Sequence, residues 1–296
     1  MAIIEVESLT KYYGDVRGIE NLTFQVEKGE VFGYLGPIGA GKTTTIRILL
    51  GFLKPTRGQA RVLDKDVWEQ TVEIKRQVGY VPGDLSLYGN LTGKEFLDYF
   101  GRLKGSDPDL LGDLLDRFPI PLERRIEGYS RGMKQMLGIV QAFMNDPLLV
   151  VMDEPTSGLD PLMQESLYDF LEREKERGRT IFFSSHNLAE VERVCDRVGI
   201  IRLGRLVALE DVQALKTKMG KKVSVRIEGD PNKFRGPEEM QIEDNWIRFV
   251  VEGDINPLIR ELSRFKILDL EIENFDLEDI FLRYYEGAER RHESGA

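Results

Sequence analysis

The sequence predicts an α/β domain on a largely parallel sheet, followed by a small α+β unit, and three observations carry that prediction. Short apolar runs alternate with amphipathic helical windows up to about residue 220. One of those runs, VFGYL at Val31–Leu35, leads through a glycine-rich loop straight into a helical window. Beyond Met219–Gly220 the texture changes to apolar–polar alternation, as a half-solvated strand shows.

The elements follow in order. Candidate strands are Ile3–Val6, Leu22–Val26, Val31–Leu35, Val78–Val81, Leu148–Met152, Thr180–Ser184 and Val198–Arg202. Several are apolar throughout, which fits strands covered on both faces. A helix is expected over Thr44–Phe52. Another spans Arg131–Met144, where Met133, Met136, Leu137, Val140, Phe143 and Met144 make one stripe at helical spacing. A third starts at Pro161 behind an Asp160 cap and stops at Gly178, and a fourth covers Asn187–Cys195. Residues 82–147 read as a helical subdomain set apart from the sheet, punctuated by Gly89, Gly93, Gly105 and Pro108. In the accessory domain, residues 221–286, strands are expected around Val223–Ile227, Asn245–Glu252 and Ile267–Ile272. Helices are expected at Pro257–Phe265 and Leu277–Tyr285, and residues 287–296 form a disordered tail.

Composition narrows the function classes. The 296 residues carry 41 basic and 51 acidic side chains, a net charge of −10, which argues against a general nucleic-acid binder. The one cysteine, Cys195, cannot form an intrachain disulfide and fits a reducing cytosol, as a small buried residue on a helix. The N-terminal apolar run is broken by Glu5 and Glu7 and reads as a strand rather than a signal peptide. No apolar stretch approaches the ~20 residues of a membrane span.

The run GPIGAGKTTT at Gly36–Thr45 fits G-x-x-x-x-G-K-[ST], the loop that cradles phosphates in nucleoside-triphosphate enzymes. Gly36, Gly39 and Gly41 allow backbone amides to turn toward a phosphate, and the helix that follows adds positive potential. Lys42 suits the β- and γ-phosphate oxygens, and the Thr43 hydroxyl suits Mg²⁺. Downstream, LLVVMDEP ends a buried strand in two carboxylates. Asp153 is placed to hold Mg²⁺ and Glu154 to polarise water as a general base. In GYSRGMKQ, Ser130 is the cap of the striped helix and Gly132 leaves its amides open, a second anion site. One nucleotide needs one phosphate loop, so a second site suggests two copies meeting head-to-tail.

Taken together and in this order, GPIGAGKTTT, YSRGMKQ, LLVVMDEPTSGLD and FFSSH resemble the ATP-binding subunit of an ABC transporter, over roughly Ile3–Glu210. The resemblance implies a P-loop NTPase (ABC ATPase) core with ATP and Mg²⁺ as ligands. It implies that Gly36, Gly39, Ala40, Gly41, Lys42, Thr43 and Thr44 bind phosphate and that Tyr13 stacks on adenine. Thr43 and Asp153 would hold the metal, with Lys42, Glu154 and His186 catalytic. Ser130, Gly132 and Asp160, the last in the Ser157–Asp160 loop, would face the partner copy's nucleotide. The signature YSRGMKQ and the C-terminal LEDIFLRYY are similar to ATPase subunits of bacterial drug, antibiotic or lipid exporters. Such subunits sit on the cytoplasmic face of the membrane through a separate permease, and Tyr88, Phe96, Tyr99 and Phe100 are candidates for the groove that receives it, with packing inside the helical subdomain the equal alternative for Phe96 and Phe100.

Two positions depart from the family pattern. Ile38 replaces a polar loop residue, and Gly83 in GYVPGDLSLY stands where the family carries a glutamine near the metal and the attacking water. Both predict slow ATP turnover. The competing readings are a soluble ABC ATPase of translation or DNA repair and a nucleotide-binding regulator with little turnover. The first lacks its usual second core and basic extensions here, and intact Lys42, Asp153, Glu154 and His186 oppose the second.

Overall fold

The computed structural model describes residues 1–104, 107–214, 220–237, 239–243 and 245–274. The chain divides into two compact units, Met1–Leu209 and Glu210–Ala296. That boundary falls earlier than the change of texture at residues 219–220, and the expected helix at 277–285 and the tail lie outside the described residues.

The first unit contains two sheets, not one. Strands β1 (Ala2–Tyr13), β2 (Val16–Glu27), β4 (Arg57–Val62) and β5 (Lys65–Asp66) form an antiparallel sheet in the order β2-β1-β4-β5. The first two predicted strands therefore do not belong to the parallel sheet. Their two-residue connection, Gly14–Asp15 with Gly14 at φ +59°, is a tight hairpin turn and imposes antiparallel pairing.

The second sheet has six strands in the order β10-β9-β3-β8-β7-β6. They are β3 (Val31–Leu35), β6 (Val78–Val81), β7 (Leu149–Asp153), β8 (Thr180–Ser185), β9 (Arg197–Arg202) and β10 (Arg205–Asp211). Strands β9, β3, β8, β7 and β6 run parallel. β3, β7 and β8 are buried at every residue, which explains the apolar runs Val31–Leu35, Leu149–Met152 and Ile181–Phe183 within them. Phe24 of the first sheet packs with Phe32, Tyr34 and Phe182 of the second, ring centroids 5.6–6.4 Å apart. Each such pair contributes roughly 0.5–1.5 kcal/mol beyond its buried area.

Helix α1 (Lys42–Leu49) starts two residues earlier than predicted and stops before Gly51. α2 (Thr71–Gln77) precedes β6. The region predicted as a helical subdomain holds α3 (Gly93–Lys104), α4 (Pro108–Arg117), a short 3₁₀ turn at Ile126–Gly128 and α5 (Arg131–Phe143). α3 begins with a reciprocal capping box: Thr92 N donates to Glu95 Oε2 at 2.8 Å and Glu95 N to Thr92 Oγ1 at 3.2 Å. α6 (Pro161–Glu176) and α7 (Leu188–Val194) are capped by Asp160 and Asn187. Cys195 is buried, but it follows the last helical residue rather than lying within α7.

The second unit pairs β12 (Gln241–Glu243), β13 (Trp246–Val251), β11 (Lys221–Ile227) and β14 (Ile267–Asn274) antiparallel in that order. With α8 (Asn256–Leu262) it buries Val223, Val225, Ile227, Phe234, Ile247, Phe249, Leu258 and Leu262. Alternate residues of β11 face this core, as the sequence periodicity predicts.

Candidate functional site: the carboxyl edge of the parallel sheet

Parallel α/β sheets place their ligand sites beyond the carboxyl ends of the strands, because the crossovers open there. In this chain the ends of β3, β6, β7 and β8 bring together Gly36–Thr43, Gly83, Asp153–Glu154 and Ser184–His186.

The glycine loop is held from outside by the β9–β10 hairpin. Its turn, Leu203–Gly204, has both residues at positive φ, and Gly204 N donates to Ala40 O at 2.9 Å. A Cβ on Gly36 would stand 2.3 Å from Ile201 O, and one on Gly41 would stand 2.7 Å from Ile19 Cγ2. Glycine at these two positions lets the loop lie against the body. Gly39, at φ +80°, faces open space: a Cβ there would meet nothing within 4 Å. Ile38 is 85 % exposed beside it.

Lys42 folds under the loop. Its Nζ donates to Gly36 O at 2.7 Å and Pro37 O at 3.1 Å, and lies 3.2 Å from Glu154 Oε1. The other Glu154 oxygen is 3.3 Å from His186 Nδ1. Glu154 thus joins the lysine to the histidine, with its backbone in the left-handed region at φ +48°. A non-glycine residue there is strained and is held by its surroundings: Glu154 N donates to Ser184 O and Oγ at 3.1 and 3.2 Å.

Asp153 is nearly fully buried, and both its oxygens are used. Thr43 Oγ1 donates to Oδ2 at 2.8 Å, and Ser184 Oγ donates to Oδ1 at 2.6 Å. A hydroxyl and a carboxylate in contact are a donor pair suited to a hard divalent cation. Tyr80 of β6 is paired in register with Val151, which places it on the Asp153 side of the sheet. Burial, and then the Asp153 charge, push its hydroxyl up to about 12, against the opposing effect of Arg47. Gly83 lies directly over the end of β7, where a Cβ would meet Asp153 O at 3.0 Å.

Tyr13 ends β1 half-exposed, its hydroxyl 3.4 Å from Thr44 Oγ1 and Lys11 Nζ 5.7 Å from its ring centre. It is an open aromatic surface rather than a core side chain. Ser130 caps α5 by accepting from Met133 N at 3.2 Å, and Gly132 packs against Gly158 O. Asp160 caps α6, accepting from Met163 N at 3.0 Å. Among the described residues, Ser130, Gly132 and Asp160 make no hydrogen bond to the glycine loop; they form a separate group. Of the four aromatics weighed for one groove, Phe96 is buried inside the helical region, which removes it from any docking surface, and Phe100 is half-buried between Phe96 and Tyr99. Tyr88 and Tyr99 are exposed, with ring centres 6.4 Å apart.

Three contributors escaped the sequence reading. Ser184 holds both carboxylate residues, and FFSSH contained it without marking it. Glu190 of α7 accepts from Thr156 Oγ1 at 2.8 Å and Ser185 Oγ at 2.6 Å, tying the loop after β7 to the end of β8. Arg131 donates to Ser157 Oγ at 2.6 Å. Arg131 and the Thr156 contact of Glu190 carry no local signal, because those partners are remote in sequence.

The fold and this loop define a P-loop nucleotide-binding ATPase. The ABC transporter family profile matches residues 19–157. The chain is 34 % identical over 301 residues to the bacitracin transport ATP-binding protein BcrA of Bacillus licheniformis, covering 96 % of this chain and 98 % of that protein. It is 34 % identical over 227 residues to the linearmycin resistance ATP-binding protein LnrL of Bacillus subtilis, covering 74 % and 72 % of the two chains. A solved ATP-binding subunit of an ABC transporter superposes with TM-score 0.66 at 34 % identity, over 72 % of this chain and 92 % of that one. A dimeric post-hydrolysis cassette bound to ADP and Pi shares the fold at 21 % identity, with TM-score 0.65. This chain belongs to the family of ABC transporter ATP-binding proteins. It is an ATPase subunit homologous to exporter ATPases.

Proposed function

We propose that this chain drives export through a separate membrane permease, with two copies closing head-to-tail around ATP and Mg²⁺ at the cytoplasmic face of the membrane. The observation that carries the chemistry is the position of Glu154, its two oxygens 3.2 Å from Lys42 Nζ and 3.3 Å from His186 Nδ1. The site fits its ligands. The loop around Gly39, which opens to free space, and the Lys42 ammonium suit phosphate oxygens, and Thr43 with Asp153 would hold Mg²⁺. The metal supplies neutralisation of phosphate charge.

The chain's own residues have defined tasks in this reading. Lys42 exchanges its Glu154 contact for phosphate oxygens when ATP binds, which releases the Glu154 carboxylate to accept a proton from water. His186 keeps that carboxylate oriented. Ser184 fixes Asp153 and the Glu154 backbone together, so metal ligand and base keep a set separation. Tyr13 offers a face to the adenine. Gly83 offers no side chain near the metal, which supports slow turnover.

Support for the dimer comes from the surface. Ile38 on the phosphate loop and Leu162, in the first turn of α6 just after Asp160, are 85 % and 82 % exposed, apolar side chains that a second copy would cover. Exposed Tyr88 and Tyr99 are the remaining candidates for permease contact. Among the described residues no helix is long and apolar enough to cross a membrane, so a permease is a separate requirement of this reading.

The test is a pull-down with tagged Glu154→Gln protein from gently solubilised native membranes in ATP and Mg²⁺. Recovery of a multi-span protein in near-equal amount is expected. Recovery of soluble partners or ribosomes alone would refute the exporter reading and favour a soluble ABC ATPase.

A further inference from the structure

The N-terminus of α5 and the loop after β7 are locked together within one chain. Arg131 is the first residue of α5, and its Nη2 donates to Ser157 Oγ at 2.6 Å. Its Cγ and Cδ lie 2.7 and 2.8 Å from the place a Cβ would occupy on Gly158, which holds φ +85°. A Cβ on Gly132 would in turn stand 2.8 Å from Gly158 O. Each side of the contact therefore requires glycine: one to admit the arginine stem, the other to admit the loop carbonyl.

The charge at this position calls for an explanation. A cation in the first turn opposes the helix macrodipole, which favours anions there. Among the described residues the Arg131 guanidinium ends on Ser157 Oγ and forms no ion pair, although the chain carries 51 acidic residues. Its hydrogen-bond partner is a neutral hydroxyl. A long side chain held against the local field, stretched along a glycine and ending on a loop serine, has the geometry of a positioning residue.

We propose that Arg131 clamps the Ser157–Asp160 loop to the head of α5, so that the two segments facing the second copy are seated as one rigid lip when the dimer closes. The inference rests on the head-to-tail dimer reading. Without the clamp, the loop and the helix would each be ordered separately at closure, and the entropy of ordering would weaken the dimer.

The experiment is a double-mutant cycle in the Glu154→Gln background, measuring ATP-driven dimerisation by analytical ultracentrifugation. Arg131→Ala and Ser157→Ala are each expected to raise the dimer dissociation constant about tenfold, and the double variant no further than either alone. Arg131→Lys, which keeps a stem over Gly158 and a donor at its tip, is expected to recover part of the loss. ATP affinity of the monomer, read with a fluorescent nucleotide, is expected to be unchanged. Effects that multiply to about a hundredfold would show independent contacts with the second copy and overturn the clamp, as would dimerisation equal to the parent in every variant. If the parent itself stays monomeric, the dimer reading fails. Hydrogen exchange then decides the clamp: faster exchange at Ser157–Leu159 in Arg131→Ala is expected, and unchanged protection refutes it.

Discussion

Replacing Glu154 by glutamine preserves the shape of the side chain and removes its charge and basicity. One oxygen of Glu154 is 3.2 Å from Lys42 Nζ and the other is 3.3 Å from His186 Nδ1, and the side chain is 28 % exposed, so an amide fits the same space. A positioned general base is worth roughly 10²–10⁴ in rate, or about 3–5 kcal/mol in activation free energy. Turnover at saturating ATP is expected to fall by that factor. Binding follows a different course. Lys42 keeps its bonds to Gly36 O and Pro37 O and loses only its anionic neighbour. Its ammonium is then less neutralised, so ATP affinity is expected to hold or rise. The assay pairs phosphate release at saturating ATP and Mg²⁺ with equilibrium binding of a fluorescent ATP analogue. Turnover within fivefold of the parent would refute the assignment of Glu154 as base. A tenfold loss of ATP affinity would refute the view that Lys42 is held chiefly by the loop carbonyls.

Three further outcomes follow from the geometry. Gly36→Ala places a methyl 2.3 Å from Ile201 O, so the loop must leave β9; ATP affinity is expected to fall at least tenfold, checked by calorimetry. Glu174→Ala strips the buried Arg179 of its Glu174 partner at 2.5 Å, leaving Asp146 and Pro147 O. Because Asp146 still neutralises Arg179, the loss is that of a charge-assisted hydrogen bond, about 1.5–3 kcal/mol, a fall of roughly 3–12 °C in Tm for a unit of this size, read by calorimetric scanning. Glu20 is the pH-sensitive contact: hydrogen bonds from Arg205 and then Tyr12 hold its carboxyl down to about 2, from 4.5. Because the folded value is the lower one, its contribution is present above pH 4.5 and is lost as pH falls through about 2. Parent and Glu20→Gln proteins are expected to differ in urea midpoint above pH 4.5 and to converge toward pH 2.

The features legible from residue order alone are local ones. The glycine loop, its strand and its helix are contiguous, so Gly36–Thr43 could be read as a phosphate site from residue types and spacing alone. Asp153 and Glu154 were legible because they end a wholly apolar run. Ser130 and Asp160 were legible as caps because a cap is a relation between residues three apart. The alternation in β11 marked its buried face. Each of these rests on interactions within one turn or one strand.

Tertiary structure decided whatever depends on partners far along the chain. The strands β1 and β2 look, as isolated runs, like those of the parallel sheet; the Gly14–Asp15 hairpin makes them antiparallel to each other, and pairing with β4 builds the second sheet around them. Ser184 could not be distinguished from Ser185 until strand register set Asp153 beside it. Gly83 read as a missing side chain, and the fold shows why the place is narrow: a Cβ there would stand 3.0 Å from Asp153 O. Phe96 and Tyr99 are alike as helical aromatics, yet one is buried and the other open, because α3 turns a single face inward. Arg131 and Ser157 are 26 residues apart and meet only where the head of α5 crosses the loop after β7. Residue spacing specifies contacts along a helix or a loop, whereas contacts across a sheet or between elements depend on a register that the whole packed core selects.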